Sequence, residues 1–542
     1  MRVASIPLHP YLFALMPPLT IYALNAAFFD PAEIVRPFIL ILLATLVVHC
    51  GASLAARSVQ RGSLIASLVI ALLLVTAFFF NAPDMRVPDY VRYVVLPITV
   101  LLAVRQFFGI RRLGLTDARR FNIVANVFML AAYLVPMEKL VFSNPLSTAH
   151  AEAALAERGE ALSLDFGSRS LPDIYHIVLD GYSRADVLQS IYGLDNTVFE
   201  DELRRLGFFV ATNGVANYNR TLSSFSSMFS LDYLDEEMGW YRIDQGLTAH
   251  EAIKAKRYRG YLGRIGSRRL LFTALRGAGY SLYATESVYQ SVLPPHIKLA
   301  SPPSHSFCDF NIYETAIYRF MGLGHLCRLF TGHSGFWERL RRSTNYALKQ
   351  RVYEDLESPY WLFQHIFPPH PPFLFEPDGS EAPEHESLDI DDRAPFFTDR
   401  SERQKIYRKG YVSQVRYLNK VVLAQIRDFM AGRRRPYIII LHGDHGGRLS
   451  YDQDDVGMVC HYETFSPLIA VYSSDDRLQQ VMQNDIALVN LYRLVFNAYF
   501  GADLPLRETR SFYETFTGAA RSVEVEQHQF RERCEAFEVK AQ

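Results

Sequence analysis

Long apolar runs separated by short polar loops fill the first 140 residues, and the pattern then changes. A helix needs about 20 mostly apolar residues to cross a bilayer. Five runs approach that length: Tyr11–Phe29, Phe38–Ala56, Ser63–Phe80, Val91–Val104 and Phe121–Met137. The fourth is short and starts beside Arg92, and the fifth carries Asn122 and Asn126. Loop cations orient such a set, because Lys and Arg stay on the cytoplasmic side. Arg57 and Arg61 follow the second run, and Arg105, Arg111, Arg112, Arg119 and Arg120 follow the fourth. The loops after the first and third runs are near neutral. The expectation is a multi-pass protein of the cytoplasmic (inner) membrane, with everything after Met137 extracytoplasmic. Because apolar runs keep recurring, a cleaved signal peptide is not expected.

Beyond residue 137 the period changes. Residues 138–171 read as a polar, helix-prone connector, 172–505 as one large domain and 506–542 as a tail. Within the domain, short β-branched runs alternate with amphipathic ones. "IYHIVL", "FFVATNGV", "PYWLFQHIF", "YIIIL" and "PLIAVYSS" read as strands. "RADVLQSIYG", "NTVFEDELRRLG", residues 401–430 and "DIALVNLYRLVFNAYFG" read as helices, several closed by Gly. This alternation predicts an α/β domain with a mostly parallel central sheet flanked by helices. Residues 376–400 and 520–542 read as exposed insert and tail.

Composition narrows the partners. The net charge is −1, so no basic field favours nucleic acid. No CxxC occurs among the five cysteines, which argues against a thiolate zinc site. Cys308 and Cys327 fit either a disulfide or two free thiols.

Candidate chemistry gathers at the carboxyl ends of the strands, where sites of open α/β sheets form. Asp180 follows the first strand in "LDGYSR", and Asp444 and His445 follow another in "LHGDHGGR". His365 and His370 follow a third in "QHIFPPHPPF". Carboxylate with imidazole suits Zn²⁺ or Mn²⁺ better than Ca²⁺. A lone strand-end Asp is more often a turn residue, whereas "GDHGG" after an Ile run favours a metal ligand. "NYNRTLSSFSSMFS" (217–230) sets Thr221 at the start of a helix-like run, where a metal-activated hydroxyl would be a nucleophile. Read alone, this run is a Ser/Thr-rich N-cap. Arg448 fits a phosphate oxygen or open solvent equally. His442 fits packing as well as ligation, and His176 reads as structural. Arg403, Lys405, Arg408 and Lys409 read as the solvated face of a helix.

Taken together, these residues resemble the alkaline-phosphatase superfamily. The resemblance is to its membrane-anchored branch of phosphoethanolamine transferases, lipoteichoic acid synthases and sulfatase-like relatives. "TLSSFSSMFS" resembles the transferases' T-x-x-S-x-x-x-M-F-S, and "HIFPPHPP" resembles their paired histidines before Pro. The resemblance implies one divalent metal, Zn or Mn, held by Asp180, Thr221, Asp444 and His445. It further implies a phospho-Thr221 intermediate, His370 at the leaving group, and His461 and His365 lining the substrate site; from their positions in sequence, Asn217 just before Thr221 and Arg448 just past the Asp-His pair are expected to line it as well. A membrane lipid would donate a phosphoethanolamine or phosphoglycerol unit to an envelope glycan or lipid. Two features depart from the pattern. Asp180 stands where the transferases carry Glu, as in phosphodiesterase and sulfatase-like branches. No Cys/Ser-x-Pro-x-Arg of true sulfatases is present. A sulfate or phosphate ester hydrolase and a non-catalytic envelope-assembly protein are the alternatives.

Overall fold

The computed structural model describes residues 6–25, 34–81, 89–142, 171–234, 270–289, 292–294, 297–300, 310, 312–320, 335–349, 351–383, 388, 400–452, 456–515 and 522–539. Cys308 and Cys327, and most of the acidic insert, lie outside them. The chain divides into two compact units, residues 1–145 with 305–339, and 146–304 with 340–542.

The first unit is helical: α1 (His9–Asn25), α2 (Val35–Ala56), α3 (Val59–Asn81), α4 (Asp89–Arg112), α5 (Leu115–Ala132) and α6 (Leu134–Phe142). The second, third and fourth expected runs fall on α2, α3 and α4; the first falls on α1 as far as Asn25, with 26–29 outside the described residues, and the fifth is shared between α5 and α6. Among the described residues, three helical stretches are long and apolar enough to cross a membrane: Val35–Ala56, Val59–Thr76 and Leu115–Glu138. Burial here is inverted relative to a water-soluble protein. Val47, Leu54 and Phe128 are exposed at 72%, 79% and 70%, while His9, Asn122 and Asn126 are buried. Polar groups inside a bilayer are costly unless paired, and these are paired. His9 meets Ser67 through Nδ1 and Asn122 through Nε2, and Asn122 Nδ2 donates to the Gln60 carbonyl and side chain. Asn126 Oδ1 accepts from the amides of Leu8 and His9, and Nδ2 donates to Ile6 O. The two asparagines that weaken the fifth run as a sequence signal are thus the polar contacts that join α5 to α1 and α3. The helix Ile312–Phe320 belongs to this unit. Tyr313 and Ile317 pack with Ala14, Ile41 and Ile70, Tyr313 Oη donates to Pro18 O, and Glu314 pairs with Arg36.

The second unit is built on a seven-stranded sheet of order β2-β7-β6-β1-β5-β3-β4. Its strands are β1 (Asp173–Leu179), β2 (Phe209–Val210), β3 (Ser281–Ala284), β4 (Lys298–Leu299), β5 (Tyr360–Ile366), β6 (Tyr437–His442) and β7 (Ile469–Ser473). β1, β5 and β6 are buried along their whole length. Their runs of Ile, Leu and aromatics are therefore continuous, as expected of parallel strands covered on both faces. The β6-β1-β5-β3-β4 block is parallel, whereas β7 runs antiparallel to β6 and β2 antiparallel to β7. Register places Val178 level with both His365 and His442. The residues that follow β1 and β6, Asp180 and Asp444, therefore emerge at one edge together.

The expected exposed tail is folded along much of its described length. Ser511–Glu514 and Ser522–Val525 form a hairpin, β8 and β9, and Cys534 forms a disulfide with Cys460. Phe512 N donates to Asn217 O, and Glu514 N donates to Asn219 Oδ1, so the hairpin secures the loop before Thr221. Sequence reading missed it because the segment lacks a long alternating run.

Candidate metal and nucleophile site

The site begins where β1 ends. The Asp180 amide donates to Ile366 O, and the next residue, Gly181, turns the chain with φ +72° and donates to Asp444 Oδ1 at 2.9 Å. That φ suits Gly because a Cβ makes the left-handed region costly. After β6, Gly446 leaves no room for a side chain: a Cβ there would lie 1.8 Å from Glu463 O. The "GDHGG" glycines thus let two backbone segments approach and set Asp444 and His445 beside Asp180.

Thr221 is the first residue of the 221–230 helix. Arg220 precedes it in extended conformation, and no side chain caps the helix. The Ser/Thr-cap reading of this run therefore gives way. Ser223 Oγ reaches both Glu514 oxygens, Ser224 Oγ the carbonyls of Asp444 and Tyr218, and Ser227 Oγ Asp232 O. The hydroxyls fasten the helix sideways onto its neighbours, and Thr221 is left pointing at Asp180 and His445. Its Oγ1 lies 3.5 Å from each Asp180 oxygen and 3.5 Å from His445 Nε2. His445 Nε2 lies 3.6 Å from Asp180 Oδ1 and 3.5 Å from Asp444 Oδ2.

These separations are long for hydrogen bonds. They match the edge of a tetrahedron: ligands about 2.1 Å from a central ion stand about 3.4 Å apart. Asp444 Oδ2 and His365 Nε2 are buried without a hydrogen-bond partner, and His365 Nε2 lies 3.4 Å from Asp180 Oδ2. The ligand atoms of Asp180, Asp444 and His445 all lie within 4.8 Å of one another, and a buried carboxylate oxygen left unpartnered there is what a divalent cation would satisfy. The protonation states agree. His445 Nδ1 faces Gly446 O at 2.7 Å, so that nitrogen carries the hydrogen and Nε2 turns its lone pair to the cluster. Burial pushes His445 down to about 4, against the pull of Asp444, and burial pushes His365 down to about 4 as well. Burial alone would raise Asp444, but His445, His365, the Gly181 amide and Thr221 outweigh it and hold its carboxyl below the ordinary range. Neutral imidazole and ionised carboxylate are the ligand forms of both groups. Asp180, Asp444 and His445, with Thr221, fit a divalent metal.

Around this cluster, Arg448 places Nη2 2.9 Å from His445 Nε2 and Nη1 3.3 Å from His370 Nε2. His370 Nδ1 faces Pro371 O at 2.6 Å, which leaves Nε2 as the acceptor. His365, His370 and Arg448 thus join the four central residues. Asn217 does not. Its amide donates to Tyr233 Oη and Arg510 O and accepts from Val489 N, so its polar atoms hold the loop in place. His461 is buried, and its ring packs against Phe465 and Tyr513. Its predicted place in the substrate site finds no contact with the cluster among the described residues. His176 and His442 sit beneath the site, with their Nε2 atoms 2.8 Å apart. Tyr492 Oη meets His176 Nδ1, and His442 Nδ1 meets Gly443 O, so both imidazoles are occupied in packing.

No protein-family model matches the chain, and no curated protein matches it by sequence. Solved structures do resemble it. The integral membrane lipooligosaccharide phosphoethanolamine transferase A from Neisseria meningitidis is 12% identical with a TM-score of 0.36, over 91% of this chain and 95% of that one. The Zn complex of the C-terminal periplasmic domain of EcEptC from Escherichia coli is 10% identical with a TM-score of 0.39, over 68% and 98%. Phosphonate monoester hydrolase of Agrobacterium radiobacter is 11% identical with a TM-score of 0.38, over 64% and 80%. At this degree of likeness, the chemistry of the site must follow from its own geometry.

Two contributors carry no sequence motif. Glu463 is buried and accepts from the Leu449 and Ser450 amides and from Tyr192 Oη, which fixes the loop that bears Arg448. Tyr289 lies past the end of β3, on the same sheet edge as Asp180. The rule that sites form at strand ends points to this loop, but "TESVY" offers nothing to mark the Tyr.

Proposed function

We propose that the protein is a membrane-anchored, metal-dependent phosphotransferase that works through a phospho-Thr221 intermediate. The observation that carries this reading is the placement of Thr221 Oγ1 at 3.5 Å from Asp180 and His445 at the start of a helix. Asp180, Asp444 and His445 would hold the cation with Thr221. When bound, the cation supplies positive charge that favours the ionised hydroxyl and the crowded phosphoryl oxygens. Thr221 Oγ1 forms the new bond to phosphorus as the bond to the donor's alcohol oxygen breaks. The proton lost by Thr221 is matched by one gained on the departing alcohol, and His370 Nε2 carries it. In the second step His370 Nε2 takes a proton from the acceptor hydroxyl, which attacks phosphorus as the bond to Thr221 Oγ1 breaks, and that proton returns to Thr221 Oγ1. Arg448 steadies phosphoryl oxygens through its paired N–H groups.

The span-length helices favour a lipid donor of the phosphoethanolamine or phosphoglycerol type, with an envelope glycan or lipid as acceptor. The Cys460–Cys534 disulfide supports an oxidising, extracytoplasmic setting for the second unit, in line with an odd number of spans before it, five on our reading, in an inner membrane. Incubation of the purified protein with vesicles of phosphatidylethanolamine and phosphatidylglycerol, followed by peptide mass spectrometry, tests the reading. Thr221 should gain the mass of the transferred unit, and Thr221→Ala should abolish both adduct and turnover. Full turnover in Thr221→Ala, or protein free of divalent metal yet active, would refute it. The Asp at position 180 favours a second reading, ester hydrolysis. Product release without added acceptor separates the two.

A further inference from the structure

Arg448 reaches the cluster on a long side chain, and an aromatic ring supports it. The Arg448 amide donates to Tyr407 Oη at 2.9 Å, and the Tyr451 amide donates to Arg448 O at 3.3 Å, so the chain turns back on itself over residues 448–451. The turn brings the face of the buried Tyr451 ring to the guanidinium, with Cζ 5.0 Å from the ring centroid. Tyr513, on β8, stands beside that ring with centroids 6.3 Å apart, and its Oη donates to Asp452 O. His461 packs on Tyr513 in turn, with centroids 5.7 Å apart and planes at 67°. A column of rings therefore runs from the C-terminal hairpin to Arg448.

We infer that Tyr451 is a positioning residue, which holds the Arg448 guanidinium at the cluster through a cation–π contact. The inference rests on the reading of Arg448 as the group that steadies phosphoryl oxygens. An arginine side chain has many rotamers, and ordering it costs entropy. Hydrogen bonds can order it, but each one occupies an N–H that a phosphoryl group needs. A ring grips the flat face of the guanidinium instead and leaves the in-plane N–H groups for other partners. Here Nη2 faces His445 Nε2 at 2.9 Å and Asn219 O at 3.0 Å, while Nη1 faces His370 Nε2 at 3.3 Å. Both histidines belong to the reacting cluster, so their hold on Arg448 ends when metal and substrate arrive. The contact with Tyr451 lies on the face of the guanidinium and persists through the reaction. The same column gives His461 a task away from the substrate, as a prop for Tyr513.

With the same vesicles, full-length Tyr451→Leu should form the Thr221 adduct about tenfold more slowly, the usual scale of a cation–π contact held away from water. Tyr451→Phe and Tyr451→Trp keep a ring and should restore most of the rate. Tyr451→Leu should retain the parent protein's metal content. The deciding measurement is a double-mutant cycle with Arg448→Ala. Once Arg448 is gone, Tyr451→Leu should cost nothing further. Parental turnover in Tyr451→Leu, with Arg448→Ala impaired, would overturn the inference and leave the role of Arg448 standing. Losses that multiply in the double variant would assign the ring to general packing and overturn it equally. So would loss of metal in Tyr451→Leu, or no rescue by Phe and Trp. Parental turnover in Arg448→Ala would also overturn it, with Thr221 still the nucleophile. Full turnover in Thr221→Ala would bring down the proposed function and this inference together.

Discussion

His445 Nε2 has one lone pair and two claimants. With Nδ1 committed to Gly446 O, that pair accepts from Arg448 at 2.9 Å, at the position a cation would occupy. Arg448 and the metal cannot both hold it. Loading the site should therefore release the guanidinium and make it available to a phosphoryl group. A hydrogen bond to a charged donor contributes about 1.5–3 kcal/mol, and the positive charge also repels a cation. Arg448→Ala should accordingly bind Zn²⁺ more tightly, by roughly tenfold, while turnover falls. Calorimetric titration of the metal-stripped protein checks the first half, and weaker binding in the variant would contradict it. The same residue shows what a sequence conceals. "GDHGGR" placed Arg448 near Asp444 and His445, but its contact with His370, 78 residues earlier, depends on the path of the chain after β5.

At the level of elements, the carboxyl ends of β1, β5 and β6 deliver the ligands, and the glycines behind them set the spacing. Gly446→Ala would drive a Cβ into Glu463 O, which is backbone and cannot swing aside. Overpacking of this kind costs about 3 kcal/mol, and it strikes the loop that carries His445. The variant should melt lower and purify with little metal, as elemental analysis would register; parental metal content would show that the loop yields. The central strands were legible in sequence because burial on both faces produces continuous apolar runs. So were Asp180, Asp444, His445 and Thr221, each of which adjoins such a run or opens a helix. The antiparallel direction of β7 was not, since direction is a property of connection and pairing rather than composition. The direction of the Asn217 amide was not legible either: adjacency to Thr221 in sequence says nothing about which way an amide points, and the Arg510 carbonyl it meets lies 293 residues away.

The chain as a whole divides its work between a unit with polar contacts inside and apolar surface outside, and a unit built in the opposite way. The segment 305–339 is counted with the first unit although it interrupts the second in sequence. Tyr313 and Ile317 are buried there against Ala14, Ile41 and Ile70. Removing residues 1–170 to obtain a water-soluble enzyme would therefore strip the cover from this helix. Such a truncated chain should self-associate or need detergent, as light scattering would reveal. Replacing 305–339 with a short Gly/Ser linker in the same truncation should restore a monodisperse protein. If the simple truncation is already monodisperse, the helix does not depend on its apolar neighbours. For anyone preparing the catalytic unit alone, the useful boundary consists of two cuts rather than one.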